Sequence, residues 1–457
     1  MDEEGTSGRP WEPGRRPSLA GRLARLGFTE ATRAERLLAA TEADVDDALI
    51  EALSGTAHPD LALTGLLTLI DRAEDVTALL NALDEDEGLR ARLLAVLGVS
   101  AALGDHLARH PDHWRVLAGP AALRRPGAAA VRAALLRAVG ADPDAETPVA
   151  AVAVAAAAAG PAAAGAAGAG APEPLVALRA EYRRHLLHLA GRDLTGVAAV
   201  DDVAEELAEL AAATLEAGLA IARAGVPDAG SCRLAVIGMG KCGGSELNYA
   251  SDVDVIFVAE PVPGHPEDVA LRAATRLASG LLRACSASTI EGALWQVDAA
   301  LRPEGKAGPL VRTLASHQAY YGRWAKTWEF QALLKARPVA GDRALGQAYI
   351  DALGPMVWRA AEGEDFVEDV QAMRRRVEDH LRQSADTAER ELKLGPGGLR
   401  DVEFAVQLLQ LVHGRVDESL RSPTTLVALD ALSAGGYVGR DDAAALMSAY
   451  RFLRRTE

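Results

Sequence analysis

Two aspartates, Asp252 and Asp254, stand one residue apart at the head of an apolar run, VDVIFV, and a glycine-rich stretch, GMGKCGG (Gly238–Gly244), precedes them. If the run is a strand, side chains two apart share a face roughly 6 to 7 Å apart, so both carboxylates can meet one or two divalent cations. Magnesium usually keeps only one or two protein carboxylates and completes its shell with water and phosphate oxygens. The glycines would supply a phosphate cradle. Gly238, Gly240, Gly243 and Gly244 permit close approach of a ligand, their N–H groups and a helix start at Ser245 attract anions, and Lys241 adds a positive charge. Ser251, just before the acids, joins this set. A third carboxylate is expected on a neighbouring strand, and Asp298 in LWQVDAALRP is the candidate. Three acids around two cations suit an in-line displacement at phosphorus, which makes nucleotidyl transfer the reaction class.

Other uses of the same residues fit less well. The literal G-x-G-x-x-G would need a full helix after it and an acid at the far end of the next strand, about twenty residues on. Here only Gly244 to Ala250 remain for the helix, and the acids open the strand. A Walker loop fails because Lys241 lacks the four-residue spacer and Cys242 stands where Ser or Thr should bind magnesium. Taken singly, the glycines could be a plain turn, the acids an exposed strand start, and Asp298 a partner of Arg302. Cys242 and Cys285 read as small core residues. Trp324 and Trp328, four apart in YYGRWAKTWEF, read as core rather than as a base-stacking platform.

The elements that must position these residues follow from periodicity. LAVI, VDVIFV and ALWQVDAAL are short β-rich runs bounded by Gly and Pro, with the helix-length EDVALRAATRLASGLLRACSAS between the last two, so a mixed strand and helix core is expected. Apolar residues recur at helical steps before it, between Leu61 and Leu83 for example, and in the pair EPLVALRAEYRRHLLHLAGRDLTG and VDDVAEELAELAAATLEAGLAIARAG. Helical patterns resume at YYGRWAKTWEFQALLKARPVAGD and continue through FVEDVQAMRRRVEDHLRQSA, DVEFAVQLLQLVHG and DDAAALMSAYRFLRRTE. The last keeps Leu446, Tyr450 and Leu453 in phase up to Glu457, the pattern expected of a fragment of something longer.

With 457 residues the chain should hold more than one domain. A net charge of −16 and a pI near 5.2 oppose any broad grip on nucleic acid. Three cysteines without C-x-x-C spacing indicate neither a disulfide framework nor a zinc site, and the start carries no apolar leader, which fits a reducing cytosol. The stretch from Val149 to Ala171 is Ala-rich with Gly and Pro breakers; it has too little apolar area for a membrane span and reads as a tether.

GMGKCGGSELNYASDVDVIF, VDAALRPEGKAGPLV, YYGRWAKTWEFQALLKARPVAGD and LKLGPGGLRDVEFAVQLLQLVHG resemble, in that order, the glutamine synthetase adenylyltransferase family, whose bifunctional members attach AMP to a tyrosine of glutamine synthetase and remove it. The likeness runs from about Leu175 to the end and, more weakly, around HLARHPDHWRVL. GMGK followed by ELN, and LGPGGLRDVEF followed by QL, look like the amino-terminal, adenylyl-removing half. The resemblance implies an α+β, predominantly helical fold with a polymerase-β-like nucleotidyltransferase core, a small mixed sheet flanked by helical bundles. It divides the chain into a helical region 1–147, a linker 148–174, a catalytic domain 175–345 and a truncated C-terminal bundle 346–457.

The resemblance also implies phosphorolysis, in which phosphate attacks the AMP–tyrosine linkage and ADP leaves, with Asp252, Asp254 and Asp298 as the Mg²⁺-binding acids. Glutamine synthetase is the implied protein substrate and a PII-type signalling protein the implied partner. Arg302, Lys306 and Arg312 are the cations nearest in sequence for holding the nucleophile, each with ordinary surface charge as the alternative. Arg400 and Glu403, three apart on a helix, read as a simple ion pair. Ala300 departs from the family's D-x-R-L-R-P and removes one possible phosphate contact. AMP transfer from ATP and a non-catalytic module binding the synthetase or PII are the competing functions.

Overall fold

The computed structural model describes residues 18–41, 45–151, 173–362 and 391–457, with isolated positions between 366 and 375. They form two units, Met1–Arg124 with Ala190–Val197, and Arg125–Leu189 with Ala198–Glu457. The division therefore falls at Arg124, ahead of the expected boundary at 147, and the helices beyond 346 belong to the same unit as the sheet. Most of the expected tether, residues 152–172, lies outside the described residues. Its start is fastened: Ala150 N donates to Ala220 O at 3.1 Å, and Arg223 Nη1 donates to Pro148 O at 3.0 Å.

The first unit is the expected helical array, from Leu19–Arg25 to Ala101–Arg109. Ser18, Asp46, Asp75, Asp86 and Ser100 each cap a helix by accepting an N–H of its first turn. Leu66, Leu69, Leu79, Leu89 and Leu93 are fully buried between these helices.

In the second unit, helix Val200–Ala224 is buried around nearly its whole circumference because it is covered on both sides. Helix Ala128–Ala138 packs on one side, and the sheet with helix Glu267–Ser286 on the other. Its buried Glu216 is satisfied by Arg223 at 3.1 Å and by the Gly341 N–H at 2.7 Å.

The sheet has five strands: β1 (Cys232–Gly238), β2 (Val253–Pro261), β3 (Val297–Asp298), β4 (Val311–Arg312) and β5 (Arg337–Gly341). β1 runs antiparallel to β2 and to β5, while β3 and β4 both lie parallel to β2 along its other edge. On one face Leu234, Val236, Val253, Val255 and Phe257 pack against helices Val200–Ala224 and Glu267–Ser286. On the other, Ala235, Ile237, Ile256 and Val258 pack under helices Leu314–Tyr321, Thr327–Leu333 and Arg343–Arg359. Cover on both sides explains why β2 reads as a continuous apolar run.

Two expectations change. The run ALWQVDAAL yields only a two-residue strand. The helical pattern from Tyr320 breaks after Leu333, and Arg337–Gly341 becomes β5, completing the free edge of β1. Pro338 stands opposite Ile237 at a register shift, where its missing N–H is tolerated on an edge strand.

Candidate active site

The parallel register of β2 and β3 sets Asp254 directly beside Asp298, and exposed Asp252 lies two residues back on the same chain. Asp298 is held by its own turn, Oδ1 accepting the Ala300 N–H at 2.7 Å. Burial pushes the Asp254 carboxyl up to about 6, the charges of Asp298 and Asp252 add to the rise, and Lys393 and Arg400 oppose it. These are the residues that could hold a divalent cation, since a cation would relieve that crowding. The group is open: among the described residues the three acids do not offer one oxygen each within 4.8 Å of one another.

The glycine turn packs closely around Asp254. Met239 N donates to Asp254 O at 2.8 Å, and a single helical turn, Gly240–Gly243, follows. Gly240 has φ +52°, and a Cβ there would lie 2.5 Å from Asp254 Oδ2. A Cβ on Gly243 would strike the carbonyls of Lys335 and Gly238, and one on Gly244 would lie 2.9 Å from Pro423 O. Close chain packing thus accounts for glycine at these positions. The expected helix start at Ser245 is absent; Ser245 itself is left-handed, with φ 57°. Cys242 is buried in the core as read.

A cleft of about 690 Å³ opens beside the acids. Gly240, Lys241, Ser251, Asp252 and Asp254 form one wall; Gly238, Gly243 and Gly244 are not among its lining. Lys241 Nζ reaches Asn248 Oδ1 at 3.1 Å and Glu457 Oε1 at 2.5 Å. Arg302 faces elsewhere, its guanidinium donating to the carbonyls of Ala299, Lys306, Gly308 and Pro309. Lys306 is exposed outside the cleft, and Arg312 is engaged by Glu304 and by Ser316.

The facing wall comes from residues that sequence reading placed lower. Lys393, Arg400, Glu403, Phe404 and Gln407 line it, together with Trp328, Gln331 and Lys335. Arg400 and Glu403 are not the simple ion pair expected: the guanidinium lies over the Phe404 ring, 5.4 Å from its centroid. Burial alone would raise the Glu403 carboxyl, but Lys335, Arg400, Lys241 and Arg454 outweigh it and hold it below the usual range. Lys335 is buried against Glu246 and donates to Thr425 Oγ1 at 3.1 Å; Glu246 also accepts the Thr425 N–H at 2.5 Å. Among the described residues, Lys393 and Arg400 are the lining cations outside any ion pair. Trp324 and Trp328 are not core: they are 74% and 39% exposed. A signal for this wall did exist in the sequence, since Arg400, Glu403, Phe404 and Gln407, at steps of three and four, make a polar and aromatic stripe along one face of the helix.

A small mixed sheet with acids at one strand end and helices on both faces defines a nucleotidyltransferase-type module. Residues 154–351 match the glutamate-ammonia ligase adenylyltransferase family, and residues 366–457 match GlnD PII-uridylyltransferase. The chain is 57% identical over 454 residues to the bifunctional glutamine synthetase adenylyltransferase/adenylyl-removing enzyme of Streptomyces avermitilis, covering 97% of this chain and 42% of that protein. It is 55% identical over 457 residues to the enzyme of that description from Streptomyces coelicolor, with the same coverage. A third, from Mycolicibacterium smegmatis, is 50% identical over 416 residues, covering 90% of this chain and 38% of that protein. The chain spans about two fifths of the length of these relatives and matches their amino-terminal part. It belongs to the glutamine synthetase adenylyltransferase/adenylyl-removing enzyme family.

Proposed function

We propose that this cleft removes AMP from the adenylylated tyrosine of glutamine synthetase by phosphorolysis. One observation carries the reading: Asp252 and Asp254, the latter paired with Asp298 across β2 and β3, line the same cleft as the uncommitted cations Lys393 and Arg400. Phosphate and an AMP diester are both anions, so bringing them together requires opposed positive charge and fixed orientation. Arg400 and Lys393 hold the incoming phosphate, and ionised Glu403 keeps the surrounding cations oriented. A phosphate oxygen attacks the AMP phosphorus, the bond from phosphorus to the tyrosine oxygen breaks, that oxygen takes a proton, and ADP leaves. Asp252, Asp254 and Asp298 would hold Mg²⁺, which stabilises charge on the attacking and leaving oxygens when bound.

The PII-uridylyltransferase match over residues 366–457 supports a PII-type signalling protein as a partner. Among the described residues no single helix is long and apolar enough to cross a membrane, and a cytoplasmic setting suits a metabolic protein substrate. The test combines the chain with adenylylated synthetase, Mg²⁺ and phosphate. ADP should appear as AMP leaves the tyrosine, and Asp254→Asn should stop it. Pyrophosphate release from ATP with AMP gained by the synthetase would reverse the direction; synthetase binding without turnover would leave a regulatory module.

A further inference from the structure

The cleft has an aromatic feature that the phosphate chemistry does not use. Helix Thr327–Leu333 buries Glu329, Gln331 and Leu333, yet leaves the Trp328 indole 39% exposed at the cleft. Its first turn is fixed, because Glu329 Oε1 accepts the Lys326 N–H at 3.0 Å and the Tyr320 hydroxyl at 3.2 Å. The indole is therefore carried on a rigid backbone, and among the described residues no other aromatic ring pairs with it. Trp324, four residues earlier, is more exposed but is not part of the cleft lining.

Trp328, Gln331, Ala332 and Lys335 line the cleft at intervals of three, four and seven residues, so this wall grades from an aromatic plane to an ammonium. Beside the indole, Gln331 is 3% exposed; its Nε2 donates to Gln407 Oε1 at 2.7 Å, and its Oε1 has no partner in the protein. A free carbonyl repels an anion and suits a ring bearing an amino group, while Lys393, Arg400 and the acids suit phosphate. Polarity thus assigns the two parts of the cleft to the two parts of a nucleotide.

Resting on the nucleotide reading above, we infer that Trp328 is the platform on which the purine ring stacks. The measurement is calorimetric binding of ADP and of pyrophosphate, each with Mg²⁺, to the wild-type chain, Trp328→Ala and Trp328→Phe, with thermal melts confirming the fold. Trp328→Ala should weaken ADP by about 10- to 100-fold, the usual effect of losing one base–aromatic stack, and leave pyrophosphate unchanged. Trp328→Phe should recover most of the lost affinity. Unchanged ADP binding by Trp328→Ala overturns the platform while the nucleotide reading stands. Equal loss of ADP and pyrophosphate also overturns it, since the residue would then shape the whole cleft. Wild-type chain that binds pyrophosphate but gains nothing from the nucleoside overturns the platform too; a chain that binds neither ligand overturns the nucleotide reading and the platform with it.

Discussion

Asp254 and His317 belong to the same face of the sheet, one where its helical cover ends and the other where it is complete. Asp254 shares its face with Ile256 and Val258 at the mouth of the cleft. His317 lies on helix Leu314–Tyr321, 1% exposed, its ring edge-on to Tyr349 at 5.2 Å, and neither ring nitrogen has a hydrogen-bond partner. Burial disfavours charge at both, lifting the Asp254 carboxyl to about 6 and drawing the His317 imidazole down to about 4. The surroundings separate them. Asp254 has two further acids beside it and open space for a ligand, whereas His317 is closed in by packing, with the Arg312 charge adding to its fall. The same desolvation makes a candidate site at one end and a neutral core residue at the other.

The sharpest way to break this comparison is to neutralise both groups in turn and follow turnover. On the proposed function, Asp254→Asn should lower phosphorolysis by about 10³-fold or more, since one of the three acids that would hold the cation is lost. His317→Phe should keep turnover within about twofold. Comparable losses from both would mean that the covered end of the face also serves the chemistry.

Next in size is the buried ion pair that joins the glycine turn to the facing wall. Lys335 and Glu246 are almost fully buried, and Glu246 is also fixed by Thr425. Lys335→Met would leave the Glu246 charge unpaired in the interior, which costs about 3–5 kcal/mol. Chemical denaturation should show that loss in the second unit; a loss below about 1 kcal/mol would mean that water reaches Glu246 once the lysine is gone.

Opposite slopes of stability against pH follow from the two shifts. Between about pH 4 and 6 the folded Asp254 keeps a proton that the unfolded chain releases, so this group makes stability fall as pH rises through that window. Over about pH 4 to 6.5 the unfolded chain protonates its histidine while folded His317 does not. Its contribution is complete above the ordinary histidine value and is lost as pH falls toward 4. Each slope amounts to about 1.4 kcal/mol per pH unit where it is fully developed, and together they largely cancel. In EDTA, Asp254→Asn should therefore leave a chain whose stability rises with pH across this window, and His317→Phe one whose stability falls. Denaturant midpoints measured at half-unit intervals decide it, and parallel profiles for the two variants would defeat the comparison.

What could be read from sequence follows the range of the interactions involved. The grouping of the acids was legible because Asp-x-Asp at a strand start is local, and the place of Asp298 because a short strand nearby in the chain had to pair there. The glycines were visible but their packing was not: their positions answer to Asp254, Lys335, Val339 and Pro423, contacts that composition cannot show. β5 was hidden because residues 337–341 continue a helical pattern and become a strand only when β1 offers an edge. The cationic wall was missed for a similar reason. Arg302 and Lys306 are close to Asp298 in sequence, but a tight turn commits Arg302 to four carbonyls and leaves Lys306 outside, whereas Lys393 and Arg400 reach the acids only through tertiary packing.

The smallest effect tests that wall directly. If Arg400 holds the incoming phosphate, Arg400→Ala should raise the KM for phosphate by about 10- to 100-fold, the scale of one charge-assisted contact, with kcat changed much less. Lys306→Ala, at the sequence-adjacent cation outside the cleft, should leave both parameters within about twofold. Because Lys335, Lys241 and Arg454 still face the Glu403 carboxylate once Arg400 is gone, the melting temperature should stay within about 2 °C. The kinetic and thermal results together separate phosphate holding from scaffolding. A KM unmoved by Arg400→Ala but raised by Lys306→Ala would return the nucleophile to the turn after β3 and leave the facing wall without a catalytic part.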